Sequence, residues 1–188
     1  MTDAALLRRI DRIESTLAIQ QLPTRYARAV DSRDVDTWVN LFVEDVRVTR
    51  EKHGREEMRK FIENAIRGFY RSIHYVCGHT IDFIDDDNAR GTVYCRAEHE
   101  DRGKWIVMGI CYFDRYERRN GTWYFRKRNE QHWYSADALE RPNDGDSFQR
   151  WPGHDDAPPA LPSAFETWKG FWDRAPAGLV NQLTRIPV

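Results

Sequence analysis

The chain is predicted to fold as an α+β domain, with helices first and an antiparallel meander after them. Three observations predict this class. Apolar residues recur at helical spacing through most of the first ~70 residues. From about Ser72 the texture changes to four long β-like runs. Between the last two runs stands Asn120-Gly121, a strong short hairpin signal when alternating apolar runs flank it.

Each element has its own justification. Leu6, Leu7, Ile10, Ile13, Leu17 and Ile19 predict a helix over about residues 3–20. Pro23 is expected to bend or restart it, and the Tyr26, Ala27, Val30 stripe carries a second helix to about Ser32. Asp34 reads as the N-cap of a short third helix holding Trp38, Leu41 and Phe42. Glu44-Asp45-Val46-Arg47-Val48-Thr49 alternates as a short strand. Gly54 to Phe69 returns to helical spacing through Met58, Phe61, Ile62 and Ile66.

The four strands are expected at about 72–84, 90–100, 104–118 and 122–136. Asp85-Asp86-Asp87-Asn88, Glu100-Asp101-Arg102-Gly103 and Arg119-Asn120-Gly121-Thr122 turn the chain between them. Past about residue 140 the segments Arg141-Pro142-Asn143-Asp144-Gly145-Asp146 and Pro158-Pro159-Ala160-Leu161-Pro162 read as irregular. Phe165, Trp168, Phe171 and Trp172 then recur at helical spacing. Residues 1–140 therefore read as one domain. Residues 141–188 read as an extension packing over the core, a cavity mouth or a subunit interface.

Composition narrows the function. The 29 basic and 30 acidic residues nearly cancel, so no global field draws in nucleic acid or an anionic membrane. Seven Trp, eight Tyr and nine Phe suit a large core, and equally a pocket for a flat, apolar ligand. Cys77, Cys95 and Cys111 lack metal-site spacing and sit in strand-like runs. The N-terminus leads straight into an amphipathic helix, and no run approaches the ~18 apolar residues of a membrane span. A soluble, cytoplasmic protein is expected. With no P-loop, GxGxxG or HExxH pattern, neither a cofactor nor a metal is expected.

Asp31 closes a predicted helix and His74 opens the first long strand. A histidine held by a carboxylate is the simplest protein base near neutral pH, because the carboxylate fixes the tautomer and stabilises the imidazolium. Spacing alone does not bring the two together. Read singly, Asp31 is a helix-end or capping residue and His74 a hydrogen-bonded strand histidine. Alternation places Arg126, Arg128 and His132 on one side of the last strand, with Lys127 opposite. Glu98 and His99 point to opposite faces, so at most one enters a cavity. His53, His79 and His154 read as surface or structural.

The motifs Val30-Asp31-Ser32-Arg33, Ile73-His74-Tyr75, Tyr116-Glu117-Arg118-Arg119-Asn120-Gly121-Thr122-Trp123 and Phe125-Arg126-Lys127-Arg128-Asn129 carry a resemblance. Over roughly residues 8–138 the chain resembles the SnoaL-like branch of the nuclear transport factor 2-like superfamily. Within it, the likeness is to hexachlorocyclohexane dehydrochlorinase, scytalone dehydratase and bile-acid 7α-dehydratase. The resemblance implies a cone-shaped, curved antiparallel sheet closed by N-terminal helices. It implies that His74 is a catalytic base, that Asp31 orients it, that Arg128 faces the leaving group, and that Tyr26 matches a tyrosine of the bile-acid dehydratase. His99, at the position of a second histidine in scytalone dehydratase, joins Glu98, His132 and Trp38 as candidate substrate-binding residues.

The implied activity is a cofactor-independent lyase. It would eliminate water or formaldehyde from a bulky, hydrophobic, hydroxylated aromatic, polyketide or steroid compound. A dehydrohalogenase or a ketosteroid-type isomerase would use the same parts. The alternative is a non-catalytic binding or assembly module, which predicts that Asp31 and His74 are not hydrogen-bonded or that the cavity is filled. The resemblance also implies a homo-oligomer, dimer or trimer, formed through the exposed sheet face.

Overall fold

The computed structural model describes residues 2–139, 173–174 and 176–178. Apart from those last five residues, the extension over residues 141–188, and the expectation for its packing, lies outside the described residues. Helix α1 runs unbroken over Asp3–Ser32, with Pro23 inside it, where two helices were predicted. A proline within a helix forfeits one backbone hydrogen bond and costs about 3 kcal/mol. Here the buried stripe Ile19, Leu22, Pro23, Ala27 and Val30 continues across that position, so packing overrides the break.

The earlier half of the predicted stripe behaves differently. Leu6, Leu7, Ile10, Ile13 and Leu17 are all more than 40% exposed among the described residues. The opposite side of the helix is polar and is the side that docks. Arg12 stacks on Phe83 and reaches Asp86, while Asp11 accepts from Arg118.

Arg33, in the left-handed region at φ 61°, ends α1. The Asp34 side chain then accepts from the Thr37 N–H at 2.9 Å and caps helix α2, Val35–Asn40, as predicted. Leu41 and Phe42 follow that helix and are buried. The short strand expected over Glu44–Thr49 does not form. Its backbone closes locally instead, with Val48 N–H donating to Lys52 and Gly54 N–H to Val46, leaving a single bridge between Arg47 and His53. Helix α3 spans Arg55–Ile66 and buries Met58, Ile62 and Ile66.

The meander consists of β1 (Arg71–Phe83), β2 (Asn88–Asp101), β3 (Lys104–Arg119) and β4 (Thr122–Asp137), antiparallel and in sequence order. Arg102-Gly103 and Asn120-Gly121 all carry positive φ, which two-residue hairpin turns of type I′ require. Bulges at Val76/Gly78, Gly109/Ile110 and Arg115/Tyr116 add twist and curl the sheet. Its inner face packs Ala89, Tyr116, Trp123 and Phe125 with the helices in the main core, and carries a second buried cluster of Val93, Cys95, Ala97, Ile106, Met108 and Ile110.

The last bulge corrects a side-chain assignment. Tyr116 pairs with Phe125 and Arg115 with Lys127, which leaves Arg126 as the extra residue. Arg126 therefore parts company with Arg128 and binds Asp45 and Glu117.

Candidate active site

The C-terminal end of α1 meets the start of β1, and this juncture assembles the candidate site. Asp31 Oδ1 lies 2.7 Å from His74 Nδ1 and accepts from the Ser72 hydroxyl at 2.8 Å. Its Oδ2 accepts the His74 backbone N–H at 2.9 Å. Both carboxylate oxygens are thus engaged by two residues of one strand. Arg33 braces the arrangement by donating to Ser72 Oγ, Val30 O, Phe69 O and Tyr70 O. The left-handed turn at Arg33 brings that guanidinium back under the strand.

With Asp31 as acceptor, the proton sits on Nδ1 and leaves Nε2 as the basic nitrogen. Burial works against the Asp31 carboxylate. The hydrogen bonds and charge of His74, helped by Ser72, outweigh that and hold the carboxyl below its ordinary range. Asp31 therefore stays an acceptor rather than taking the imidazole's proton.

The His74 ring lines a cavity of about 270 Å³ between α1, α3 and the sheet. Tyr26 and Val30 from α1 and Phe61, Ile62, Ala65 and Ile66 from α3 form one side. The sheet contributes His99, Met108, Ile110, Tyr112 and Glu130, and Phe69 closes the corner. The His99 ring stands edge-on to His74, centroids 5.5 Å apart, and to Phe69 at 4.5 Å. The lining is mainly apolar with a few convergent polar groups, the usual pattern for a small-molecule site.

Beneath the cavity lies a buried ion pair. Arg128 donates through Nε and Nη2 to the two oxygens of Asp114, at 2.9 and 2.7 Å. The guanidinium carbon sits 4.5, 4.1 and 4.4 Å from the ring centroids of Tyr26, Tyr112 and Phe125. Burial alone would lower the Arg128 pKa; the charge and hydrogen bonds of Asp114 raise it overall. Tyr116 donates to Asp114 at 2.8 Å, and its hydroxyl lies 2.9 Å from His79 Nε2. Gly91 permits this closeness, since a Cβ there would fall 2.9 Å from both His79 and Tyr116. Burial raises the pKa of Tyr26 and of Tyr112, so both phenols remain hydrogen-bond donors near neutral pH.

The structure thus brings His74, Tyr26 and His99 to one cavity wall, with Asp31 bonded behind His74 rather than lining the wall, and separates the other candidates from it. Arg128 does not line the wall: Asp114 holds its fork, and Tyr26 and Tyr112, on which it stacks, supply the surface instead. Glu98 is on the outer face, where it accepts from Arg96 and from the Trp105 indole. His132 shares the Arg128 face, paired across from Ile110, but is not among the lining residues. Trp38 is 2% exposed and packs behind Tyr26, centroids 5.4 Å apart, in the core rather than at the cavity. His79, read as surface or structural, is turned inward onto Tyr116. Sequence reasoning missed Ser72, Arg33, Tyr112, Asp114 and Glu130. Arg33 lies within one quoted motif and Ser72 adjoins another, so that neighbourhood was the available signal. Among the described residues, no group of three His, Cys, Asp or Glu side chains is placed to hold a metal ion.

A curved four-stranded sheet closed by helices over an apolar cavity defines the nuclear transport factor 2-like fold. The chain belongs to the SnoaL-like domain family, whose match spans residues 11–129. It is 30% identical over 127 residues to gamma-hexachlorocyclohexane dehydrochlorinase of Sphingobium indicum, covering 64% of this chain and 81% of that one. Two solved structures share the fold. A hexachlorocyclohexane dehydrochlorinase of type 2 superposes with a TM-score of 0.63 at 23% identity, over 77% of this chain and 99% of that one. A scytalone dehydratase-like protein from Novosphingobium aromaticivorans does so with a TM-score of 0.59 at 21% identity, over 78% and 98%. No helix among the described residues is long and apolar enough to cross a membrane.

Proposed function

We propose that the cavity is the active site of a lyase that performs elimination without a cofactor, with His74 as base and Asp31 as its orienter. The observation that carries this reading is the 2.7 Å contact between Asp31 and His74 at the edge of an open, apolar cavity. An assembly module would need no open space, and a silent binding module would need the space but no carboxylate-held imidazole at its edge. Dehydrochlorinase and dehydratase relatives support the same class of reaction.

In the proposed step, His74 Nε2 takes a proton from a substrate carbon. The C–H electron pair becomes the new double bond, and the bond to the leaving group on the adjacent carbon breaks. Halide departs as the anion. Hydroxide would leave as water by taking back the proton from His74. Formaldehyde loss would instead begin with proton abstraction from a hydroxymethyl oxygen. That oxygen's electrons form the carbonyl of formaldehyde, the C–C electron pair passes to an adjacent carbonyl or ring acceptor, and the proton on His74 returns to the carbon left behind. Asp31 offsets the charge formed on the imidazole. Tyr26 and Tyr112 offer O–H donors to the developing anion, with Arg128 adding positive potential from behind their rings. A preorganised donor of this kind contributes on the order of 3–4 kcal/mol.

A volume of about 270 Å³ favours a compact ring compound over one of steroid size. Self-association belongs to the same reading, supported by Ile73, Tyr75 and Tyr94 exposed on the outer sheet face. The test is product analysis, with no cofactor added, of compact halogenated and hydroxylated ring compounds. An alkene or aromatised product with free halide, water or formaldehyde is expected. Turnover that depends on an added cofactor, or binding without any product, would remove the proposal.

A further inference from the structure

A second concave site lies outside the cavity, between the loop after Val46 and the outer face of β3 and β4. It encloses about 480 Å³, and Arg47, Arg50, Arg115, Arg126 and Lys127 line it with Val48 and Thr49. Five of the seven lining residues are cations and none is acidic, in a chain whose net charge is −1. Composition therefore does not account for the concentration of charge. Arg126 is neutralised from outside the lining by Asp45 and Glu117. Among the described residues, Arg50, Arg115 and Lys127 have no carboxylate within ion-pair distance.

The strand register supplies an independent observation. Arg115 sits directly across from Arg90 on one side and from Lys127 on the other, so three cations form a row across the sheet. Asp82 answers Arg90 at 3.3 Å, and the remaining pair faces the cleft. Like charges directly opposite in adjacent strands destabilise a sheet. An anion seated on the row would offset that repulsion.

We propose that this cleft binds a small molecule bearing a phosphate group with at least two negative charges. Guanidinium forks match phosphoryl oxygens, two donors to two acceptors, and Lys127 adds a point charge. The Thr49 hydroxyl already accepts from the Glu51 and Lys52 N–H groups, which leaves its own hydrogen to donate into the cleft. The row of cations also makes this part of the outer face a poor contact for a second copy, since a two-fold contact would oppose like charges. The inference does not rest on the reading of the cavity.

Calorimetric titration of the full chain with pyrophosphate, at fixed ionic strength, tests it. Saturable one-to-one binding is expected, weakened at least ~10-fold in the Arg115→Ala, Lys127→Ala double variant, since each lost charge-assisted contact weakens binding several-fold. Both side chains are exposed, so the unliganded variant should melt no lower than the parent. Chloride or acetate at the same ionic strength should not compete. Absence of saturable binding, or equal affinity in the double variant, would overturn the proposal. So would binding to single-stranded oligonucleotides with affinity that climbs with length, which would mark a nucleic-acid surface instead.

Discussion

Asp31 accepts twice from His74, once from the ring Nδ1 at 2.7 Å and once from the backbone N–H at 2.9 Å. The second bond fixes the carboxylate to the strand that carries the imidazole, so ring and acceptor move as one unit. A helix-end aspartate and a strand histidine are thereby converted into a base of defined tautomer.

Ser72 completes that unit, and its removal should be felt through Asp31. Ser72→Ala deletes one of the bonds that hold the Asp31 carboxyl below its ordinary range. The carboxyl should then protonate at higher pH. The expected result is a loss of roughly 10-fold in kcat/KM near neutral pH, about 1.4 kcal/mol, because the carboxylate is held less firmly against the imidazole. Steady-state kinetics checks it; kcat/KM equal to the parent's would show that Ser72 does not act through Asp31.

The sign for stability follows from the same group. The folded-state pKa of Asp31 is depressed, so its contribution is present above the unfolded value of about 3.9 and is lost as pH falls through the folded value. Urea midpoints measured between pH 6 and pH 3 should fall less steeply in Asp31→Asn than in the parent protein.

The Arg128–Asp114 pair is buried, with side chains 5% and 0% exposed. Asp114→Asn leaves the guanidinium uncompensated, and a loss of about 3–5 kcal/mol is expected. Replacing both partners, Arg128→Met with Asp114→Leu, should cost less than either single change. Denaturant unfolding of the three variants reads the difference directly.

Tyr26 and Tyr112 differ from the core aromatics in lining the cavity while stacked on a cation. Tyr26→Phe and Tyr112→Phe keep the stacking and remove the hydroxyl. If a phenol donates to the developing anion, its variant should lose about 10-fold to 100-fold in kcat with little change in stability, a smaller loss than for a rigid backbone donor. Equal kcat in both variants would assign these hydroxyls to packing alone.

The meander and its turns were legible because each rests on local chemistry; the pairing of Asp31 with His74 was implied only by the resemblance, since spacing does not bring two residues 43 apart together. Asn120-Gly121 supplies two left-handed residues in a row, and Asp34 offers a capping oxygen three residues before the N–H that needs it. The continuity of α1 was not legible, since the packing that carries it past Pro23 comes from distant residues. Arg126 was assigned to the wrong side because one bulge reverses strand parity, and no residue near Arg115 or Tyr116 announces it. Asp114 escaped notice for the same reason: its partner lies across a hairpin whose register depends on that bulge.

The central claim is that the imidazole of His74, not the cavity as a whole, removes the substrate proton. Elimination by the parent protein and by His74→Ala, compared on one compound that the parent converts, tests it most directly. The account predicts a loss of about 10²–10⁴-fold in kcat, with the fold intact by circular dichroism. Turnover within a few-fold of the parent would contradict it.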